Sequence, residues 1–133
     1  MPSKIFVNLP VKDLDKSKGF FGKLGYTFNA QFTDETAACM VISDDIYAML
    51  LTEAKFKDFT KKPIADAHKT TEVLIALSVD SKDAVNELVD AAVKAGGSEA
   101  RDPQDHGFMF LRSFDDLDGH SWEILWMDPK HVQ

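Results

Sequence analysis

Few residues of this chain have the types and spacing that catalysis or metal binding requires. The sequence contains four histidines without a His-x-x-x-His spacing. Its single cysteine, Cys39, can form neither an internal disulfide nor a zinc cluster. A late acidic run resembles a calcium loop, but with Asp116 third and Asp118 fifth, the twelfth position falls on Leu125, which has no oxygen ligand. We therefore expect a tight hairpin turn there.

Three polar residues of the second half remain candidates for chemistry. Glu123 stands among apolar residues, where a carboxylate can serve as a general acid or base. It can equally hydrogen-bond Asn8 or a backbone amide, or face solvent. His106 precedes a predicted strand and is either a catalytic or ligand-contacting group or a polar turn residue. Arg112, if it points inward, can bind an anionic substrate group bidentately.

The charge of the chain argues against a nucleic-acid partner. The 133 residues have a formal net charge of −7, all of it in residues 67–133, whereas residues 1–66 are neutral overall. An acidic half would repel a phosphate backbone. No apolar run approaches the ~18 residues of a membrane span, and the start lacks the pattern of a secretory signal. We expect a cytoplasmic protein with neither a membrane nor a nucleic-acid partner.

The elements that must position these residues form an internal repeat. Residues 5–11 alternate as a strand, and Asp13 or Asp15 can cap the helix that follows. Residues 73–79 repeat the strand, and Ser81 can cap a longer helix. Three shorter β-like runs follow each helix: 26–32, 37–42 and 46–52 in the first half, and 97–101, 108–113 and 120–127 in the second.

Each half therefore reads as βαβββ, and the two halves account for nearly the whole chain. We expect a single domain over residues 1–133. It divides into a first module at about 1–53, a partly helical connector at about 54–71 and a second module at about 72–133.

This pattern resembles the vicinal oxygen chelate superfamily, which includes glyoxalase I, bleomycin-resistance proteins, fosfomycin-resistance enzymes and extradiol dioxygenases. The resemblance covers the entire chain and rests on the duplication, on Asn-Leu-Pro-Val-Lys-Asp-Leu at 8–14 and on Asp-Leu-Asp-Gly-His-Ser-Trp-Glu-Ile at 116–124. It implies an α+β fold in which two tandem βαβββ modules form an incomplete, cupped barrel around a cavity, and it implies a homodimer.

The resemblance also indicates where a metal ion would bind. Metal-dependent members hold a divalent ion with one residue early in the first strand and one late in the last strand of each module. The matching positions are Phe6, Leu74, Leu50 and Glu123, with Leu50 matched to Glu123 at an offset of 73 residues. Three of these side chains are hydrocarbon and donate no lone pair. We therefore predict no cofactor, and a divalent metal only through a non-standard site that includes Glu123.

Strand alternation then selects the residues that face the cavity. The predicted catalytic residues are Glu123 and His106. The predicted ligand-binding residues are mostly apolar: Phe6, Asn8, Leu50, Leu74, Ala76, Arg112 and Leu125.

Three functions are compatible with this pattern. The first is a metal-independent protein of the glyoxalase and bleomycin-resistance type that binds a small hydrophobic or aromatic molecule. The second is an enzyme, either a lyase related to lactoylglutathione lyase or an extradiol dioxygenase, that uses Glu123 to move a proton next to a carbonyl. The third is a scaffold whose shape serves dimerisation only. The fold does not choose among them, because function belongs to the site.

Overall fold

Two β-sheets with their helices make up the part of the chain that the computed structural model describes, residues 3–130. The chain divides into two units, Met1–Ala65 and Asp66–Gln133, and each unit has its own sheet. Each contains the order strand, helix and three strands, with one further short strand in the second unit. The predicted α+β class with two tandem βαβββ modules is confirmed.

The first unit has a four-stranded sheet in the order β1-β4-β3-β2. Strand β1 runs parallel to β4, and the other neighbours are antiparallel. Its elements are β1 (Ile5–Val11), α1 (Leu14–Lys23), β2 (Thr27–Phe28), a 3₁₀ helix (Ala30–Phe32), β3 (Ala37–Val41), β4 (Ile46–Thr52) and α2 (Glu53–Lys57).

The second unit repeats this arrangement with the order β5-β9-β8-β6, and β7 pairs with β8. Strand β5 runs parallel to β9, and β8 is antiparallel to β9. Its elements are β5 (Leu74–Ser78), α3 (Lys82–Lys94), β6 (Ser98–Glu99), β7 (Gln104–Asp105), β8 (Met109–Asp115) and β9 (Ser121–Met127).

The two long helices begin at the caps that the sequence predicts. The Asp13 side chain accepts a hydrogen bond from the Lys16 backbone N–H at 3.1 Å, so that Asp13 rather than Asp15 caps α1. Ser81 accepts from the Ala84 backbone N–H at 3.0 Å. Each bond satisfies an N–H that the first helical turn leaves without an intrahelical partner.

Each helix contributes a buried apolar stripe to the core of its unit. In α1 the rings of Phe20 and Phe21 are buried and meet edge to face, with centroids 4.9 Å apart. In α3 the buried residues are Val85, Val89 and Ala92. Burying side chains of this size contributes roughly 1.5–3 kcal/mol for each large one.

The predicted strand at residues 26–32 is wrong over most of its length. Only Thr27–Phe28 pair as a strand, and a 3₁₀ helix follows at Ala30–Phe32. The Asn29 side chain accepts a hydrogen bond from the Gln31 backbone N–H at 2.9 Å. Asparagine competes for local backbone hydrogen bonds in this way, and the bond ends the strand.

The acidic run before β9 forms the predicted hairpin turn around the buried carboxylate of Asp116. One oxygen accepts from the backbone N–H groups of Asp118 and His120 at 2.9 and 3.0 Å, and the other accepts from the Trp122 indole N–H at 2.9 Å. Burial raises the pKa of the Asp116 carboxyl, whereas the charge of His120 and these hydrogen bonds oppose the rise. Asp116 therefore joins the turn to the core of the unit.

We expect Asp116→Ala to lower the free energy of unfolding by about 2–4 kcal/mol, because it leaves the buried Trp122 N–H and two turn amides without their acceptor. Urea denaturation measures this change. Asp66→Ala is the matched control, since exposed Asp66 accepts one side-chain hydrogen bond, from the His68 backbone N–H, and should cost below about 1 kcal/mol. Equal losses in the two variants would contradict the structural role of Asp116.

The turn also requires glycine at position 119. Gly119 has a φ of +84°, and an added Cβ would lie 2.8 Å from the His68 backbone nitrogen. Gly25 has a φ of +100°, but an added Cβ there would have nothing within 4 Å.

We expect Gly25→Ala to lower the free energy of unfolding by about 1–2 kcal/mol, which is the strain of the left-handed conformation alone. Gly119→Ala should cost at least about 1 kcal/mol more, because backbone must also move. Thermal unfolding of both variants tests the difference, and a Gly119→Ala loss no larger than that of Gly25→Ala would contradict the close approach.

Candidate functional site

The candidate site with the most polar groups lies on the second sheet, on the face away from α3. We call this face the open face. Strand registers define it, because residues directly opposite each other on paired strands point to the same side. Ala76 is paired with Glu123, and Glu123 with Ser113. The open face comprises Leu74, Ala76, Ser78, Leu111, Ser113, Ser121, Glu123 and Leu125.

An ion pair occupies the middle of the open face. Arg101 Nη2 donates to Glu123 Oε2 at 2.6 Å, and the side chains are 52% and 18% exposed. The Ala100 backbone N–H bonds the Ser113 carbonyl, so Arg101 follows directly after a residue held against β8. Because β8 lies between that segment and β9, the Arg101 side chain crosses over β8 to reach Glu123. Glu123 is therefore a half-buried carboxylate whose charge is compensated by a guanidinium.

Ser113 lies directly across from Glu123 in the β8–β9 register. The residue is only 3% exposed, and its hydroxyl oxygen has no hydrogen-bond partner among residues 3–130. Buried polar atoms are nearly always hydrogen-bonded in folded proteins. This hydroxyl is therefore an unsatisfied donor and acceptor, buried at the register position across from Glu123.

Three predicted ligand-binding residues lie on the same face as Glu123. Leu74 and Ala76 are exposed on β5, and Leu125 is partly buried on β9. They surround the carboxylate with hydrocarbon, as the alternation of these two strands predicts. Their contact with a ligand stays a prediction.

Arg112 does not face the site, and the expectation that it binds an anionic substrate group there is wrong. It is paired with Ile124, one residue out of phase with Glu123, and therefore lies on the α3 side. Its guanidinium bonds both Glu99 carboxylate oxygens at 2.9 and 3.0 Å and reaches two α3 side chains, Asn86 and Asp90. The hydrogen bonds to Glu99 raise the pKa of Arg112. The Arg112 side chain thus joins β6, β8 and α3.

His106 and Glu123, the two predicted catalytic residues, are not brought together. His106 is exposed in the turn before β8, where Met109 pairs with Met127. Met127 lies four residues along β9 from Glu123, which corresponds to about 13 Å at the rise of a strand. The His106 ring lies 6.3 Å from the Phe108 ring, at the end of the hairpin. A catalytic role for His106 stays a prediction separate from that of Glu123.

In the first unit Phe6 and Asn8 share one face of β1 and are exposed, whereas Leu9 and Val11 on the other face are buried. Phe6 stacks on Tyr47 with ring centroids 4.9 Å apart. The open positions of this strand thus agree with the predicted alternation.

The prediction that Leu50 shares a face with Phe6 and Asn8 is wrong. In the parallel β1–β4 register Leu50 is paired with Leu9 and is fully buried, whereas Met49 is paired with Asn8. In the repeat Asn8 of β1 corresponds to Ala76 of β5. Asn8 is paired with Met49 and Ala76 with Glu123, so the residue that matches Glu123 is Met49, at an offset of 74 residues instead of 73. The position of β4 on the same face as Phe6 and Asn8 therefore carries a thioether.

The residues at the metal positions of the fold do not fit a divalent ion. With the corrected register they are Phe6, Met49, Leu74 and Glu123, and Glu123 is bonded to Arg101. One carboxylate and one thioether do not make the set of hard oxygen or nitrogen donors that such ions require. Within residues 3–130, no three His, Cys, Asp or Glu side chains form a group that could hold a metal ion.

Sequence reasoning missed the roles of Arg101, Ser113 and Met49. A usable signal existed for Arg101, because a carboxylate among hydrocarbon needs a compensating cation and the chain has only two arginines. Ser113 gave no signal, since its position opposite Glu123 depends on the register of the hairpin.

Comparison with known proteins supports the fold. The family model of the bleomycin resistance protein-like N-terminal region matches residues 4–43, and no curated protein sequence matches the chain significantly. A hypothetical protein from S. aureus is 28% identical, with a TM-score of 0.79 and 95% of each chain covered. None of the helices in the described segment is long and apolar enough to cross a membrane.

Two further solved structures carry functional names. A glyoxalase/bleomycin resistance protein/dioxygenase family enzyme from Burkholderia phytofirmans PsJN is 15% identical, with a TM-score of 0.77 and coverage of 95% of this chain and 99% of that one. The fosfomycin resistance protein FosX from Mesorhizobium Loti is 15% identical, with a TM-score of 0.68 and coverage of 98% and 97%. The resemblance predicted from the sequence is thereby confirmed at the level of the fold, which this chain shares with structures of glyoxalase, bleomycin-resistance and fosfomycin-resistance proteins.

Proposed function

We propose that the protein binds a small hydrophobic or aromatic molecule on the open face of its second sheet, without the metal site of the superfamily. The observation that carries this proposal is the composition of that face, where exposed Leu74 and Ala76 and partly buried Leu125 surround one charge-compensated carboxylate. Exposed apolar side chains that adjoin a few convergent polar groups are typical of small-molecule sites. The homodimer and the cytoplasmic location predicted from the sequence belong to the same proposal.

A thermal-shift screen of small aromatic and aliphatic compounds tests the proposal. A ligand at a hundredfold excess over its Kd should stabilise the protein by about 2.7 kcal/mol, which raises Tm by several degrees. Leu74→Glu places a charge on the open face and should abolish the shift. Val93→Glu is the matched control, because Val93 on α3 is 43% exposed against 56% for Leu74.

Two outcomes would contradict this proposal. Failure of every compound at high concentration would favour the scaffold that serves dimerisation only. Elemental analysis that finds stoichiometric, activity-supporting Ni²⁺, Zn²⁺, Mn²⁺ or Fe²⁺ would contradict the metal-independent site. In that case a non-standard site with Glu123 as a ligand would replace it.

A second candidate function is a lyase of the lactoylglutathione lyase type, or a dioxygenase-like enzyme. The observation that favours it is the single contact between Arg101 and Glu123, which leaves Glu123 Oε1 without a partner among the residues described. A carboxylate oxygen on an apolar face can accept a proton from a carbon next to a carbonyl. The stabilisation of the resulting oxyanion would fall to Arg101.

If this reading holds, the protein should turn over methylglyoxal with glutathione, and Glu123→Gln should lower the rate about 10²- to 10⁴-fold, the usual worth of a general acid or base. Spectrophotometric assay of thioester formation measures the rate. Asp105→Asn is the control, because exposed Asp105 pairs with Lys82 at the far end of the hairpin and should leave the rate unchanged. No turnover by the parent protein would remove the basis of this candidate.

A further inference from the structure

Three polar residues lie near the middle of the open face: Arg101 is bonded to Glu123, and Ser113 is paired with Glu123 in the strand register. They come from three neighbouring segments of the second unit, so their positions are set by the register of one sheet. Two neighbours of Glu123 on this face are apolar: Ala76, its partner on β5, and Leu125, two residues along β9. Any ligand that covers this hydrocarbon also meets the polar cluster.

The ion pair leaves most of its hydrogen-bonding capacity unused. A guanidinium has five N–H donors, and Arg101 uses one of them, at 2.6 Å to Glu123 Oε2. In the described segment neither the other Arg101 donors nor Glu123 Oε1 has a partner. The pair therefore offers donors and an acceptor side by side.

Ser113 strengthens the same conclusion. The residue is 3% exposed, and its buried hydroxyl finds no hydrogen-bond partner within residues 3–130. A buried hydroxyl without a partner costs free energy that a correctly placed ligand atom recovers. Because the hydroxyl both donates and accepts, it can complete the bonding of either kind of ligand atom.

The charge of the cluster argues for a neutral ligand. Arg101 and Glu123 compensate each other, so the pair has no net charge for an ion to neutralise. An anion bound by Arg101 would lie against the Glu123 carboxylate, and residues 67–133 already carry a net charge of −7. A cation bound by Glu123 would meet the guanidinium in the same way.

We propose that this cluster recognises a neutral group with a hydrogen-bond donor beside an acceptor, of which a primary carboxamide is the simplest case. The carbonyl accepts from Arg101, and the N–H donates to Glu123 Oε1. An apolar or aromatic body attached to that group covers the neighbouring hydrocarbon. This inference rests on the proposed binding function and names the class of ligand for the same site.

The test is an NMR titration of the uniformly ¹⁵N-labelled full chain with three probes of one shape: benzamide, benzoate and acetophenone. Benzamide carries the donor and the acceptor, acetophenone the acceptor alone, and benzoate a negative charge. We expect benzamide to shift the amide signals of β8 and β9 with a Kd about tenfold lower than the other two, because a hydrogen bond to a charged group is worth about that factor.

Two variants locate the effect. Glu123→Gln should raise the Kd of benzamide about fivefold, since the charge-assisted hydrogen bond becomes a neutral one. Arg101→Lys keeps the positive charge but loses the planar fork, and it should weaken benzamide binding similarly. Arg101→Lys also tests the inference if the Glu123→Gln variant does not fold. Asp105→Asn, which alters an exposed carboxylate beside Lys82, should change nothing.

The outcomes separate this inference from the proposed function. If benzoate binds most tightly and Glu123→Gln tightens it further, the cluster is an anion site and the inference is overturned. If the three probes bind equally and the variants have no effect, recognition is apolar only, so the inference fails while the binding function stands. If no probe shifts signals of the open face, both fail together.

Discussion

The parallel pairing of the first and last strands in each unit is the constraint on which the candidate site depends. It determines which residues of β5 and β9 share a face, and so places Ala76 beside Glu123. A shift of one residue would turn Glu123 toward α3 and bring Ile124 onto the open face. Trp122 and Ile124, each 1% exposed, hold the register, because such a shift would remove both from the core.

The strength of the sequence signal varied with the number of buried faces of each strand. In β9 polar Glu123 stands between two large apolar residues, so the alternation was visible and its face was predicted correctly. In β4 Met49, Leu50 and Leu51 are all apolar, and the last two are both buried although they point to opposite sides. A strand buried on both faces shows no period of two, and the register of Leu50 could not be read from it.

The two arginines show the same limit at longer range. The sequence shows that Glu123 needs a compensating cation, yet it does not show which arginine supplies it. That choice follows from pairings between strands: Arg112 is opposite Ile124 and therefore reaches α3, whereas Arg101 lies beyond β6 and reaches across β8. Fold class, helix caps and the acidic turn depend on neighbours within a few residues, so they were predictable, whereas the partner of a charge was not.

A shared fold leaves the chemistry of this site to its own side chains. Where a metal ion would balance several ligands, this chain has one carboxylate, and a guanidinium balances it. The exchange alters what the site can recognise, because a metal ion accepts lone pairs at its open coordination positions, whereas a guanidinium donates hydrogen bonds in one plane. Arg101 also leaves one oxygen of Glu123 available as an acceptor, which a carboxylate bound to a metal through both oxygens would lack. In the binding that we propose, residues of a single sheet recognise a paired donor and acceptor where a metal ion would polarise a substrate.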